Sequence, residues 1–274
     1  MTDRYAVIGN PIAHSKSPLI HTRFAHSTGQ DLEYGMVEAS LDGFTQAVRA
    51  FRDSGGLGLN ITTPFKLQAF EMANEQGARA RIAGAANAMK FVGGRIVVDN
   101  FDGIGLANDI EHNLGVALKG LRVLMLGAGG AARGALVELL ARDPAELLIA
   151  NRTRATAQDL ADSFAAHGPL RACSYTELGG EAGFDIVLNG TSASMTGALP
   201  PVPAGAFAGA TLAYEMVYGR GLTPFLRLAQ NAGVPHLADG VGMLVEQAAE
   251  AFFWWRGVRP DTRGVIDEIS VPLV

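Results

Sequence analysis

The stretch "LRVLMLGAGGAARG", residues 121 to 134, decides how the chain is read. An apolar run, Leu121 to Leu126, meets a cluster of glycines and passes into an alanine- and leucine-rich segment, Ala131 to Arg142. That order reads as strand, tight turn and helix. Gly127, Gly129 and Ala132 fit the spacing G-x-G-x-x-G/A. In that pattern the first glycine makes the turn and the second lets the backbone approach a pyrophosphate. The small third residue lets helix and strand pack closely, and the helix N-terminus faces the anion. A second apolar run, Leu147 to Ala150, completes a βαβ unit. The full context favours dinucleotide binding over an ordinary tight turn. The residues after that strand select the cofactor. Enzymes selective for NAD place an Asp or Glu there for the ribose 2′-hydroxyl. Here the chain reads Asn151-Arg152-Thr153-Arg154. An arginine fork suits a 2′-phosphate that a carboxylate would repel, so NADP is expected. Read alone, Arg152 could also be a solvated surface charge.

Outward from this unit, short apolar runs alternate with helical patterns, which predicts parallel sheet and an α/β protein. Tyr5 to Ile8 reads as a strand. Ser17-Pro18 reads as an N-cap with Pro at the first helical position, opening a helix toward Gly29. Leu57 to Ile61 is another strand, and Thr63-Pro64 repeats the start signal, with a helix to about Gln76 and Gly77 as its C-cap. Further strands fall at Phe184 to Leu188 and Ala210 to Tyr214, and a strong terminal helix runs from Val241 to Arg256, capped by Gly257.

The bulk numbers narrow the function classes. A length of 274 residues permits one large domain or two ordinary ones, and 48% hydrophobic residues support a full core. The net charge of −5 comes from interspersed acids and bases without a basic stripe, so nucleic acid is a poor partner. The single cysteine, Cys173, reads as a core residue, and the six histidines show no metal-ligand spacing, so no metal is expected. The longest uncharged run, Ile186 to Tyr214, contains Pro200, Pro201 and Pro203 and reads as strand and loop, not as a membrane helix. The N-terminus is too short and too acidic for a signal peptide, so a cytoplasmic protein is expected.

Small polar residues gather at expected strand ends: Ser15 and Ser17, Asn60 and Thr62, Asn87, Asn100 and Asp102. Lys66 is the one cation among them and Asp102 the one anion. Open α/β sheets bind ligands at that edge. Ser15 and Ser17 lie at a helix N-terminus, a natural seat for a carboxylate. A set of neutral amides and hydroxyls around one ion pair suits a small polyhydroxylated ligand. Hydride transfer between a carbinol and a nicotinamide also moves a proton at the oxygen, which a lysine beside a carboxylate can do. Each residue has a plainer reading as well: Ser17 and Thr63 as caps, Asn100 as a turn residue, Lys66 as a solvated helix-face lysine.

Taken in order, "GNPIAHSKSP" (9–18), "NITTPFK" (60–66), "GAANA" (84–88), "DNFDG" (99–103), "GAGGAARG" (127–134), "NRT" (151–153), "YEMVY" (214–218), "TPF" (223–225) and "ADGVGMLVEQAAEAF" (238–252) make the chain resemble the shikimate dehydrogenase family from end to end. The resemblance implies an NADP-linked reduction of 3-dehydroshikimate to shikimate, in the pathway to the aromatic amino acids. It implies Lys66 and Asp102 as the catalytic pair, Ser15 and Ser17 at the substrate carboxylate, and Thr62, Asn87, Asp102 and Gln247 at the ring hydroxyls. Asn60 would line the site and Tyr214 lie near the cleft. At the cofactor it implies Gly127, Gly129, Gly130 and Ala131, then Asn151, Arg152, Thr153 and Arg154, together with Thr191, Gly240 and Met243. The implied architecture is two α/β domains with a cleft between them. A substrate domain of residues 1–103 and 237–274 would receive the terminal helix, and a Rossmann domain would cover 104–236. A monomer or homodimer is expected.

Four departures from the family pattern bear on these expectations. Phe101 and Ala88 each replace a threonine, which removes two hydroxyls beside the pocket. Glu215 stands where Asp is common, and Thr156 stands where a second arginine is usual, with Arg154 as a substitute. The alternatives are a paralogue acting on quinate or a related hydroxylated cyclohexane acid, and a non-catalytic metabolite- or dinucleotide-binding regulator. The presence of both Lys66 and Asp102 argues against the second.

Overall fold

The apolar run near the N-terminus becomes β1 (Asp3–Gly9), whose last five residues are buried on both faces. A strand covered on both sides belongs inside a sheet, and β1 is flanked in parallel by β2 (Leu32–Glu38) and β3 (Gly56–Ile61). The computed structural model describes residues 2–180 and 183–274. It divides into two compact units, Met1–Gly105 with Val245–Val265, and Leu106–Leu244 with Ile266–Val274.

In the first unit the sheet order is β2-β1-β3-β5-β6-β4, with β4 at Glu75–Gln76, β5 at Ala88–Val92 and β6 at Arg95–Asp99. β5 runs antiparallel to both β3 and β6. Asn60 pairs with Ala88, and Ala88 with Asp99. The start of β5 therefore lies on the same edge as the ends of β3 and β6. Helices α1 (Ser17–Thr28), α2 (Phe44–Asp53), α3 (Lys66–Glu71) and α4 (Ala78–Ala83) connect the strands. One face of the sheet packs Ala6, Ile8, Leu59 and Ile61 against Phe44, Val48 and Phe65, all buried. The other packs Tyr5, Val7, Ile12 and Tyr34 with Trp255.

Two helix boundaries differ from the sequence reading. Ser17 is the first residue of α1 rather than its cap; the cap position falls on Lys16, and the Ser17 N–H is taken up by Ser15 Oγ at 3.2 Å. The helix expected to run from Thr63-Pro64 to Gln76 is only the six residues of α3, and Gly77 is not a left-handed cap, having φ −64°. The cause is competition from the sheet. Asn74 and Gly77 donate their backbone N–H groups to the carbonyls of Ile96 and Val98, at 2.9 and 2.7 Å, which pulls the segment onto β6. Gly77 is needed for close approach, since a Cβ there would lie 2.3 Å from the Asp99 carboxyl carbon.

The second unit has the order β12-β11-β10-β7-β8-β9, with its strand pairings parallel. Its strands are β7 (Arg122–Leu126), β8 (Glu146–Asn151), β9 (Leu170–Ser174), β10 (Ile186–Asn189), β11 (Leu212–Glu215) and β12 (His236–Asp239). Strand order reverses between β7 and β10, the switch point at which doubly wound sheets bind ligands. Helices α6 (Gly130–Ala141), α7 (Arg154–Ser163) and α8 (Pro224–Asn231) complete the crossovers, so this unit is a Rossmann fold. Helix α5 (Asp102–Asn108) carries the chain out of the first unit, and α9 (Val241–Arg256) carries it back. Because β12 pairs with β11, the chain stays in the second unit to Leu244 rather than leaving it at 237; α10 (Arg263–Ile269) begins in the first unit and ends in the second. Among the described residues no helix is long and apolar enough to cross a membrane.

Candidate active site

The shared edge of β3, β5 and β6 collects the polar residues of the first unit. Lys66 opens α3, and its carbonyl accepts the Ala86 N–H at 2.9 Å, which fixes the start of the helix beside Asn87. Its ammonium donates to Asp102 Oδ2 at 2.6 Å. The Lys66 side chain is 33% exposed and that of Asp102 10%, so the carboxylate is the more deeply sunk partner. The other carboxylate oxygen, Oδ1, accepts from Asn87 Nδ2 at 2.8 Å. The same amide nitrogen donates to Gln247 Oε1 at 3.1 Å, while Asn87 Oδ1 accepts the Phe101 N–H at 2.8 Å. Charge-assisted contacts on both oxygens hold one Asp102 rotamer.

Asp102 is placed by a residue whose plainer reading was a turn. Asn100 Oδ1 accepts the Asp102 N–H at 3.0 Å, and Asn100 Nδ2 donates to the Ala85 carbonyl at 3.1 Å. The asparagine closes a loop two residues back from the helix start, satisfying a donor that the first turn leaves free. The D-N-x-D spacing carried this signal. Asn60 lies across the edge, donating to the Asn87 carbonyl at 3.4 Å and accepting from the Tyr34 hydroxyl at 2.6 Å. Thr62 follows β3, with its N–H on the Ile8 carbonyl at 3.0 Å. Ser15 and the buried Ser17 stand at the N-terminus of α1. The structure thus brings Asn60, Lys66, Asn87, Asp102 and Gln247 into one bonded cluster.

The space of the two lost threonines is taken up by apolar packing. Phe101 and Ala88 are buried with Ala251, and the Phe101 ring packs edge-on against Trp254 with centroids 5.6 Å apart. The ring fills the volume around Ala88 and belongs to this apolar cluster.

In the second unit, Gly127 has φ +95°, and a Cβ there would sit 2.9 Å from Thr191 Cγ2. Both facts demand glycine. Gly129 is the cap position of α6 without any side-chain cap, and a Cβ at Gly129 or Gly130 would meet nothing within 4 Å. The start of α6 is therefore exposed and uncrowded at Gly129 and Gly130, as the close approach of a pyrophosphate to a helix N-terminus requires. Ala132 beneath is fully buried. At the end of β8, Asn151 donates to the Thr153 carbonyl at 3.0 Å, Arg152 and Thr153 are exposed, and Arg154 pairs with Glu177 at 3.3 Å. The β8 end itself, Asn151-Arg152-Thr153, carries no carboxylate, which fits a 2′-phosphate beside Arg152. Arg154, already neutralised, is a weaker second cation than its position suggested. Thr191 donates to Asn189 Oδ1 at 2.7 Å, Gly240 is buried, and the Met243 N–H donates to the Tyr214 hydroxyl at 3.2 Å.

Two buried acids organise this edge. Tyr214 is fully buried and donates to Asp109 Oδ2 at 2.7 Å. Burial and the Asp109 charge push its phenol well above the usual range, so it stays protonated. Glu215 is fully buried, and burial raises its carboxyl pKa. It accepts from Asn189, Ser194 and Thr223, tying the loop after β10 to the start of α8. Among the described residues no group of side chains could hold a metal ion. A surface hollow of about 310 Å³ near Asp42, Phe44, Gln68 and Glu71 lacks a cation and includes neither Lys66 nor Asp102.

A Rossmann unit with an unobstructed glycine turn, joined in one chain to a unit bearing a lysine paired with a sunken carboxylate, defines a dinucleotide-dependent oxidoreductase of two α/β units. Three family models match the chain: the shikimate dehydrogenase substrate binding domain over residues 7–89, shikimate / quinate 5-dehydrogenase over 108–196, and the shikimate 5′-dehydrogenase C-terminal domain over 240–269. The chain is 56% identical over 266 residues to the shikimate dehydrogenase (NADP(+)) of Nitrosospira multiformis, spanning 97% of this chain and 96% of that protein. Among solved structures, an Ael1 enzyme from Pseudomonas putida is 60% identical, with a TM-score of 0.96 over 99% of this chain and 100% of that one. Shikimate 5-dehydrogenase from Thermus thermophilus, solved with NADP(H) and shikimate, is 32% identical, with a TM-score of 0.86 over 97% of each chain. The chain belongs to the shikimate dehydrogenase family.

Proposed function

We propose that the protein catalyses the reversible, NADP-dependent reduction of 3-dehydroshikimate to shikimate, with Lys66 and Asp102 as its acid–base pair. The observation that carries this reading is the 2.6 Å contact between the ammonium of the partly exposed Lys66 side chain and the sunken carboxylate inside an amide cluster. When bound, NADPH supplies the hydride. Lys66 then delivers a proton to the carbonyl oxygen as it becomes a hydroxyl, and in the reverse direction it takes that proton back. Asp102 orients the ammonium and accepts from a ring hydroxyl, while Asn87 and Gln247 bind the ring's remaining oxygens. Ser15 and Ser17 seat the carboxylate at the start of α1, and Thr62 and Asn60 close the flank. Gly127, Gly129, Gly130 and Ala131 would hold the pyrophosphate through the backbone and Arg152 the 2′-phosphate, with Thr191, Gly240 and Met243 completing the cofactor's site. Tyr214 completes the proposed substrate residues, and its hydroxyl accepts the Met243 N–H. A lone buried thiol, Cys173, suits the reducing cytoplasm. A monomer or homodimer is expected, which sedimentation would read.

The deciding experiment is initial rates with shikimate and with quinate, each against NADP⁺ and NAD⁺. Shikimate with NADP⁺ should be fastest. Lys66→Ala should lower kcat by about 10²–10⁴-fold, the range for general acid–base groups. A preference for quinate, or Lys66→Ala raising KM alone, would overturn the substrate or the role respectively.

A further inference from the structure

The end of β8 carries no carboxylate of its own, but one reaches toward it from the neighbouring strand. β8 and β9 pair in parallel with Asn151 opposite Ser174. That register sets Ser174-Tyr175-Thr176-Glu177 one strand, about 4.8 Å, from Asn151-Arg152-Thr153-Arg154. The spacing S-x-x-E closes a reciprocal cap. Glu177 Oε2 accepts the Ser174 N–H at 2.7 Å and the Ser174 hydroxyl at 2.8 Å, and the Glu177 N–H donates back to Ser174 Oγ at 3.3 Å. These donors hold the Glu177 carboxyl below its usual range, so the group is charged. Its other oxygen, Oε1, lies 3.3 Å from Arg154 Nη1.

The cap sets this pair apart from an ordinary surface salt bridge, in which both side chains can swing away. Arg154 hangs on a long stem with its side chain 61% exposed, whereas Glu177 is tethered through its other oxygen. A 2′-phosphate beside Arg152 draws on the same guanidinium, because an arginine fork suits phosphate as well as carboxylate. The tethered carboxylate competes for that fork and does not withdraw. NAD-selective folds place such a charge at the end of the second strand. Here it comes from the third strand, β9.

We propose that Glu177 is a specificity-determining residue for the dinucleotide: by holding Arg154 it weakens the grip on a 2′-phosphate and lowers the preference for NADP over NAD. The proposal rests on the reading of the β8 end as the 2′-phosphate seat.

The test is titration calorimetry of NADP⁺ and of NAD⁺ into the full chain, with Glu177→Gln, Arg154→Ala, the double variant and Arg152→Ala. Glutamine keeps the cap, because its amide oxygen still accepts the Ser174 N–H, so only the charge is removed. Glu177→Gln should lower the Kd for NADP⁺ by about twofold to fivefold, the range for an exposed ion pair, with the Kd for NAD⁺ little changed. In the Arg154→Ala background that gain should largely disappear. An unchanged or raised Kd for NADP⁺, an equal fall for NAD⁺, or an undiminished gain without Arg154 would overturn the proposal. Arg152→Ala separates the two levels of the argument. If it raises the Kd for NADP⁺ while Glu177→Gln changes nothing, the phosphate seat stands and Glu177 has no part in it. If it leaves that Kd unchanged, the seat itself falls, and the proposal with it.

Discussion

Ala88 and Phe101 show how a substitution that looks functional from sequence is resolved by packing. Read singly, each removes a hydroxyl from the neighbourhood of Asp102. In the structure the two are one event, because the buried Phe101 ring shares its apolar cluster with Ala88 and Ala251 and leans on Trp254. Restoring one threonine alone should therefore be costly. Ala88→Thr should destabilise the protein by about 1–3 kcal/mol through overpacking, read as a lower urea midpoint, and adding Phe101→Thr should recover most of it. An unchanged midpoint in the single variant would show that the two positions are independent. Residue identity was otherwise legible where chemistry is local: Lys66 and Asp102 were marked by their types at strand ends. Asn100 was harder, because turn asparagines and asparagines that accept from the first N–H of a helix share one composition.

Elements were legible where their signals were self-contained. The βαβ unit of β7, α6 and β8 combines a long apolar run, a glycine turn and a helix, and its bounds match the reading to within a residue. The stretch after Pro64 failed because its fate depends on β6, twenty residues downstream, whose carbonyls compete for the Asn74 and Gly77 N–H groups. No local pattern reports such a partner. The glycine turn also carries a prediction of its own. At Gly127 both the positive φ and the 2.9 Å approach to Thr191 forbid a side chain. Gly127→Ala should raise KM for NADP⁺ by tenfold or more, on the order of 1.4 kcal/mol, while KM for shikimate changes little. Equal effects on both would mean that the turn supports the fold in general and not the dinucleotide in particular.

At the scale of the whole molecule, two separate cores make unfolding in more than one step the natural expectation. Both tryptophans, Trp254 and Trp255, fall in the first unit, so indole fluorescence reports that unit's unfolding by itself. His21 lies in the same unit, fully buried, and burial lowers its pKa to about 3. Unfolded, it titrates near 6.5, about the ordinary value. Between those values the unfolded chain holds a proton that the native chain does not, so stability falls as pH is lowered from about 6.5 and levels off near 3. The slope from this one group approaches about 1.4 kcal/mol per pH unit. Fluorescence-detected urea unfolding at about pH 7, 6 and 5, the range in which the unfolded imidazole charges, should show the wild type losing stability relative to His21→Phe, with a slope that steepens toward that limit at about pH 5. Glu215, whose raised pKa acts with the opposite sign, is common to both chains and cancels. Parallel curves would place the imidazole's charging outside the unfolding transition.

The partial exposure of Lys66 has a consequence for where the product's hydrogens originate. Its side chain is one-third open to water while its partner is sunk. With Lys66 as the acid, that exposure gives solvent a route to replace the proton it donates. The two hydrogens added to the carbonyl then have separate pedigrees. Run in heavy water, the reaction places deuterium only on oxygen, where it washes out on return to ordinary water. The carbon keeps the light atom it received from the dinucleotide, and the alcohol carries a permanent record of its reductant but none of its acid.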